Sequence, residues 1–344
     1  MTKPIKYFSG FANVGIGFVY AKSLGFECAL ANEYDLTRAS WHQHSYPDAE
    51  MVVGDFTDPE VFEKLVRRFK ELEIDVACFS PCCQPFSRAG GQHLDSPEAF
   101  YFLWILKFIE RTGLKYAWIE NAKEFPNAVL SDDPRPIKQR IVETLTPSHH
   151  VELQIQDAAR FGTAQSRRRS LFLISRSDLP RWEFPKQTDA LISAESVIGH
   201  LPPIWTNGRS AILMHNVPPL PKCQIDCIKD VPAGMWAPHP VNKRGMPYVK
   251  PKPKYAFRRI YADRPCNTIL QKSASITGYQ TLHYKENRVL SPLEIILLTG
   301  LPQNWSVPTW ARCKHQLVRD VLGEAFAPRH VERLLQELLK IAPR

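Results

Sequence analysis

Short apolar runs alternate with amphipathic stretches along the first half of the chain. Residues 28–31 (Cys28-Ala29-Leu30-Ala31), 74–79, 116–120 and 170–175 are apolar enough to be strands buried on both faces. Between them, residues 59–70, 98–111 and 135–145 carry the 3.6-residue period of helices laid on a sheet. The alternation predicts a parallel sheet with covering helices over residues 4 to about 178. From 180 to 262 the periodicity fades and prolines cluster, with pairs at Pro202-Pro203 and Pro218-Pro219. A small, loop-rich second domain is expected there. Helical patterning returns after Leu290. Ser291-Pro292-Leu293-Glu294 has the Ser, Pro and Glu of a capped helix start. Residues 318–342 are amphipathic, with Ala327-Pro328 dividing two helices. The expected organisation is one domain from 1–179 and 281–344, with 180–280 inserted as another; no internal repeat is visible.

Composition narrows the class. A chain of 344 residues suits one large domain plus a smaller one, and 44% hydrophobic residues suffice for a sizeable core. No apolar run approaches the ~18 residues of a membrane span. The N-terminus, Met1-Thr2-Lys3-Pro4-Ile5-Lys6, lacks the apolar stretch of a secretory signal, so a cytoplasmic protein without membrane attachment is expected. Eight cysteines in such a chain are expected to stay thiols. Cys223-x3-Cys227, near His215 and His239, lacks a second tight pair, and no metal is expected.

Charge points to a polyanionic partner: the net charge is +9 and the pI about 9.1. Residues 231–262 contain no carboxylate, yet hold Lys243, Arg244, Lys250, Lys252, Lys254, Arg258 and Arg259, interleaved with Trp236, Tyr248, Tyr255, Phe257 and Tyr261. A solvated loop face could share that composition. It is also the footprint of a surface that tracks phosphates and stacks on bases.

Candidate chemistry begins with Ser80-Pro81-Cys82-Cys83-Gln84-Pro85-Phe86-Ser87, directly after the apolar run 74–79. A thiol there sits at the carboxyl edge of the sheet, where open α/β folds place their chemistry. Alone, the segment is equally compatible with a turn whose thiols pack as apolar groups. Other segments add to it. Tyr7-Phe8-Ser9-Gly10-Phe11-Ala12-Asn13-Val14-Gly15-Ile16-Gly17 is a glycine-bearing turn between the first strand and first helix, suited to close approach by a nucleoside cofactor. Glu33, followed by Tyr34, can take two ribose hydroxyls. Asp55, followed by Phe56, can accept from an adenine amino group. Glu120-Asn121 ends another strand, and Gln165-Ser166-Arg167-Arg168-Arg169 precedes the last. In extended chain Arg167 and Arg169 share one face.

In this order the segments resemble the cytosine-C5 DNA methyltransferases of prokaryotic or phage type, from Phe8 to about Leu335. Pro81 to Ser87 is similar to the family's Pro-Pro-Cys-Gln-x-Phe-Ser loop, which aligns Cys83 with the catalytic thiol. Glu120-Asn121-Ala122 resembles Glu-Asn-Val, and residues 165–169 match Gln-x-Arg-x-Arg. Arg288-Val289-Leu290-Ser291-Pro292-Leu293-Glu294 and Gly300-Leu301-Pro302 resemble later blocks. The resemblance implies a Rossmann-like α/β methyltransferase sheet with helices on both faces, plus a loop-rich target-recognition domain at 180–280. It implies S-adenosylmethionine as cofactor, held by Phe8, Gly10, Gly15, Glu33, Tyr34, Asp55, Phe56, Pro81 and Glu324. Catalysis would fall to Cys83, Gln84, Glu120, Arg167 and Arg169. Cys83 would add to C6 of a flipped-out cytosine, a protonated Glu120 would bond N3, and Arg167 would orient Glu120 or contact the base. DNA contacts would come from Ser87, Arg88, Gln165, Arg168, Lys243, Arg244, Lys250, Lys252, Lys254, Arg258 and Thr268. The partner would be double-stranded DNA, with a restriction endonuclease acting separately and the enzyme a monomer.

Three departures stand out. Cys82 replaces the family's second proline; the cofactor loop is about three residues longer and has Lys6 or Tyr7 where an acid is usual; Gly323-Glu324-Ala325-Phe326 matches its block loosely. A transfer-RNA cytosine methyltransferase of related architecture, or a catalytically silent DNA-binding relative, remains an alternative.

Overall fold

The computed structural model describes residues 3–87, 91–204, 208–248 and 255–342. Two compact units divide the chain: 1–157, 168–186 and 331–344 form the first, and 158–167 with 187–330 the second. Residues 281–330 pack with the loop-rich part and carry two of its helices.

The first unit is built on strands β1 (Ile5–Gly10), β2 (Phe26–Glu33), β3 (Glu50–Val53), β4 (Val76–Phe79), β5 (Tyr116–Ala122), β6 (His149–Asp157) and β7 (Arg168–Arg176). They form one sheet in the order β3-β2-β1-β4-β5-β7-β6. The pairings among β1 to β5 are parallel, but β7 runs antiparallel to both β5 and β6. The expected parallel sheet is therefore mixed at this end. The link 158–167 holds only a 3-10 turn and the two-residue strand Gln165–Ser166, too little chain for the crossover that a parallel return to a neighbouring strand requires.

Helices α1 (Leu36–Ser45), α2 (Pro59–Glu71), α3 (Tyr101–Thr112) and α4 (Ile137–Leu145) fill the connections. Local chemistry sets their ends. The Asp58 side chain accepts from the amides of Glu60 and Val61, Pro59 opens α2, and Gly113, at φ 58°, ends α3. Helix α4 starts at Ile137 rather than at Arg135, because Asp133–Pro136 pairs with Val129–Leu130 as a small ribbon. Period-2 alternation assigns the faces of the sheet. Phe8, Ala77, Phe79, Ala117 and Ile119 enter a core with α2, α3 and α4, where the Phe108 ring lies 5.2–5.8 Å from Phe8, Phe56 and Phe79. On the other face Tyr7 stacks on Phe18, Phe18 on Trp118, and Trp118 meets Trp182. The Trp182 indole donates to the Leu334 carbonyl at 3.0 Å.

The second unit holds the short helices α5 (Ala194–Ile198) and α6 (Lys222–Ile228), then α7 (Pro292–Leu298) and α8 (His315–Glu324); α9 (Pro328–Leu339) starts in it and ends in the first unit. The capped start at Ser291 forms as a full capping box, and Glu294 also binds the Arg288 guanidinium at 2.7 and 2.8 Å. Little regular structure leaves many backbone carbonyls without ladder partners. Buried Arg259 satisfies four of them, donating to Ile228, Val231, His283 and Glu286 at 2.6–2.9 Å. A surface role for this arginine is thereby excluded.

Three buried histidines make the fold acid-sensitive. Burial lowers His42 and His283 to about 4 and His330 to about 3. The unfolded chain protonates each near 6.5. Their contribution to stability is therefore complete above pH 6.5 and drains away as the pH falls toward 4. The expected result is a fall of about 1.4 kcal/mol per pH unit for each histidine across that window. Urea midpoints measured near pH 7 and pH 5 check it; equal midpoints would contradict the assignment.

Candidate active site

The chain leaves β4 at Phe79, paired with Ile119 of β5, so the thiol loop and Glu120 emerge at the same edge of the sheet. Backbone bonds shape the loop. Ser80 N–H donates to the Gly10 carbonyl at 3.4 Å, and Asn121 Nδ2 donates to the Pro81 carbonyl at 3.2 Å. The amides of Phe86 and Ser87 both donate to the Cys83 carbonyl, at 3.2 and 3.1 Å, closing a tight turn behind the thiol. Phe86 anchors the turn edge-on against Phe125. Cys82 and Cys83 are half-buried, Gln84 is exposed and Ser87 half-buried; Cys83 packs on the rim of the core.

Glu120 is nearly buried, and Arg169 Nε lies 2.9 Å from its Oε1. Antiparallel register makes this pair: Leu171 faces Glu120 and Arg169 faces Ala122, so the arginine reaches diagonally across to the acid. Arg169 Nη1 also donates to the Arg168 carbonyl at 2.9 Å, which fixes the guanidinium plane. The contact with Glu120 expected of Arg167 is thus made by Arg169. Arg167 belongs to the second unit, where it donates to the carbonyls of Ile269 at 3.4 Å and Glu324 at 3.0 Å. Glu324 is the last residue of α8, so Arg167 places a cation on that helix's carboxyl end.

The edge formed by β1, β2 and β3 carries the candidate cofactor residues. No α-helix follows β1. Two 3-10 turns, Ile16–Phe18 and Lys22–Leu24, take its place. Gly15 has φ 77°, and a Cβ there would lie 2.3 Å from the Tyr46 ring, whose hydroxyl donates to the Gly15 carbonyl. Both carboxylate oxygens of Glu33 are used: Oε2 accepts from Asn13 N–H at 2.8 Å and Oε1 from Asp35 N–H at 2.9 Å. Burial raises this carboxyl above the usual range, and the two amides pull it back. Glu33 therefore ties the glycine turn to β2 as well as facing the edge. Tyr34 is 74% exposed, and Asp55, also exposed, accepts from Thr57. An acid, a bare aromatic face and a second acid on adjacent strand ends suit a ribose with an attached purine, so S-adenosylmethionine fits this donor set.

Phe8 and Phe56 are corrections. Their rings are 0% and 1% exposed inside the aromatic core, so neither ring is available to a ligand. Pro81 is buried and offers only its carbonyl, already taken by Asn121. The residues with accessible surface there include Phe11, in the left-handed region at φ 56°, and Tyr101, whose rings lie 5.3 Å apart. Burial first, then the fields of Asp55 and Glu98, push the Tyr101 phenol up to about 12; Cys82 and Tyr34 contribute as well. Tyr101 thus lies within electrostatic range of both Asp55 and Cys82. Nothing in the sequence marked it, whereas Asn121 was visible in its motif.

The remaining candidates fall within the second unit or on the first unit's surface. Gln165 is buried, accepting from Ile269 N–H at 3.2 Å and donating to Thr299 Oγ1 at 3.4 Å, and Thr268 Oγ1 donates to the Ser166 carbonyl. Both hold the pairing of Cys266–Asn267 with Gln165–Ser166, so neither side chain stands out toward DNA as expected. Glu324 interacts with Gln271, and Gly323 explains its own identity: a Cβ would lie 2.4 Å from Gln271 N. Arg258 is half-buried, bonded to the Gly234 carbonyl and the Tyr261 hydroxyl. Arg168, Lys243 and Arg244 are exposed. Arg88, Lys250, Lys252 and Lys254 lie outside the described residues. Cys223 and Cys227 donate to backbone carbonyls, and His215 sits between Ser291 Oγ and the Pro202 carbonyl.

A seven-stranded sheet in this order, one strand reversed and a glycine turn after β1, defines a Rossmann-like methyltransferase. Solved structures agree on the fold. A prophage-encoded E. coli protein described as a DNA modification methyltransferase superposes with a TM-score of 0.71 at 16% identity, covering 98% of this chain and 99% of that one. A DNMT2 mutant of Spodoptera frugiperda gives 0.61 at 19% identity, covering 97% and 99%. The C-5 cytosine-specific DNA methylase model matches residues 2–340. The type II methyltransferase M1.HgaI of Avibacterium volantium is 30% identical over 98% of this chain and 99% of its own length. The chain belongs to the C-5 cytosine-specific DNA methylase family, and it is a methyltransferase enzyme.

Proposed function

We propose that this enzyme transfers a methyl group from S-adenosylmethionine to C5 of a cytosine flipped out of duplex DNA, with Cys83 as the transient nucleophile. One arrangement carries the reading: a thiol loop bonded through Pro81 to Asn121, beside a Glu120 whose carboxylate is held at 2.9 Å by Arg169. Cytosine C5 is a weak nucleophile. The Cys83 thiolate adds to C6, and the displaced π-electrons make C5 enamine-like. The carboxyl group of Glu120 supplies a proton to N3 as charge builds on the ring, and Arg169 keeps that group aimed. The cofactor, when bound, supplies an electrophilic methyl group. Glu33 holds its ribose, Asp55 its amino group, and Tyr34 offers a stacking face. After transfer a base or water takes the C5 proton, the C5–H electrons re-form the C5=C6 double bond, the thiolate leaves with the C6–S pair, and N3 returns its proton to Glu120. Extruding the base costs a few kcal/mol. The relatives named as type II methyltransferases support a separately acting restriction endonuclease as cellular companion.

The test is covalent trapping. Duplex DNA carrying 5-fluorocytosine cannot release the C5 position as a proton, so enzyme and cofactor should form a stable adduct whose peptide maps to Cys83. No adduct on any duplex, with methylation of transfer RNA instead, would replace this reading by the RNA one.

A further inference from the structure

The second unit presents an exposed basic hairpin whose geometry goes beyond a generally basic surface. Val241 pairs antiparallel with Pro247, and the Asn242 amide donates to the Met246 carbonyl at 2.9 Å. Between them the chain turns through Lys243, Arg244 and Gly245, the glycine at φ 78°. Asn242 Oδ1 accepts from the amides of Arg244 and Met246 at 2.8 and 3.2 Å, locking the turn from inside. The base of the hairpin is fastened to α6. Cys223 donates to the Asn242 and Lys243 carbonyls at 3.7 and 3.6 Å, and Gln224 to the Val241 carbonyl at 3.4 Å. Beside it, Cys227 donates to the His239 carbonyl at 3.2 Å. Residues 243–247 are all exposed, and residues 231–262 supply no carboxylate to neutralise the tip.

We propose that this hairpin is a base-reading element, with Arg244 recognising a guanine in the major groove of the target duplex; the inference rests on the DNA reading above. A surface that only tracks phosphates needs charge and tolerates mobility. Base readout needs a donor fork held in register, and a two-stranded ribbon fits the major groove, where an arginine bonds guanine O6 and N7 together. The locked turn and its fastening to α6 provide that register, and Met246, 53% exposed, adds an apolar contact of the kind a thymine methyl takes.

The experiment compares full-length wild type, Arg244→Lys and Arg244→Ala on a duplex library randomised around the methylated cytosine, read by bisulfite sequencing. Urea midpoints report folding, which an exposed tip residue should not alter. In both variants discrimination at one G·C position is expected to relax by about 10–100-fold, while other positions keep their preferences. Lysine keeps the charge but not the fork, so Arg244→Lys should retain the wild-type salt dependence of binding and still lose discrimination. Full recovery by lysine, with alanine weakening all sequences equally, would overturn the inference in favour of a phosphate contact. Unchanged preference at every position would overturn it too. A wild-type enzyme that methylates no duplex would sink the underlying reading instead, before any variant is compared.

Discussion

A Cys83→Ala protein is expected to fold as the wild type does and to methylate duplex DNA slower by a factor on the order of 10⁴ or more. The size follows from the chemistry: without a nucleophile at C6, C5 has no enamine character with which to attack. Retention of the fold follows from the loop. Its shape comes from the amides of Phe86 and Ser87 on the Cys83 carbonyl and from Asn121 on the Pro81 carbonyl, none of which uses the sulfur. Cys83 packs only on the rim of the core, so the lost contact is small. Cys82→Ala is the matched comparison, and it should stay within a few-fold of wild type. Single-turnover transfer of a labelled methyl group measures both variants, with urea midpoints as the folding check. The reverse pattern, a silent Cys82→Ala and an active Cys83→Ala, would move the nucleophile one residue back.

The second large effect is expected at Arg169. Its pair with Glu120 is almost out of solvent, the side chains being 11% and 9% exposed. Removing one partner of such a pair leaves a charge without water or counter-ion, at a typical cost of about 3–5 kcal/mol. Arg169→Ala should therefore lower the urea midpoint and also reduce kcat/KM by about 10²–10³, because Glu120 loses the group that aims it. Arg169→Lys should recover part of the stability and little of the rate, since one ammonium cannot hold both the Glu120 carboxylate and the Arg168 carbonyl. Glu120→Gln weights the two effects differently: it keeps the volume and an amide oxygen that can still accept from the Arg169 guanidinium, but it has no proton to give N3, so it should impair catalysis more than folding. Wild-type kcat/KM in Arg169→Ala would remove Arg169 from the mechanism.

These two positions show how legible the chain is. Cys83, Glu120 and the three arginines stand in local motifs, and the residue types themselves announce nucleophile, acid and cation. Which arginine meets the acid is not local. It depends on Leu171, rather than its neighbour, lying opposite Glu120, and a slip of one residue would turn Arg169 away. The aromatic residues follow the same rule. Phe8 and Phe56 sit in motif positions, but the packing of α2 and α3 carries both rings into the core, while Tyr101 comes to the edge from a helix that shows only an apolar pattern.

The sequence by itself determined the alternation of strands and helices, the capped start at Ser291, the acid-free basic stretch and the local motifs that hold Cys83, Glu120 and the three arginines. Each depends on residues adjacent in the chain or one helical turn apart. Tertiary structure alone decided the reversal of β7, the grouping of 281–330 with the loop-rich unit, the burial of Arg259 among four carbonyls and the pairing of Arg169 with Glu120. All four join residues far apart in sequence. Periodicity tells which face of its own element a side chain occupies; what lies opposite that face is set by register and packing between elements.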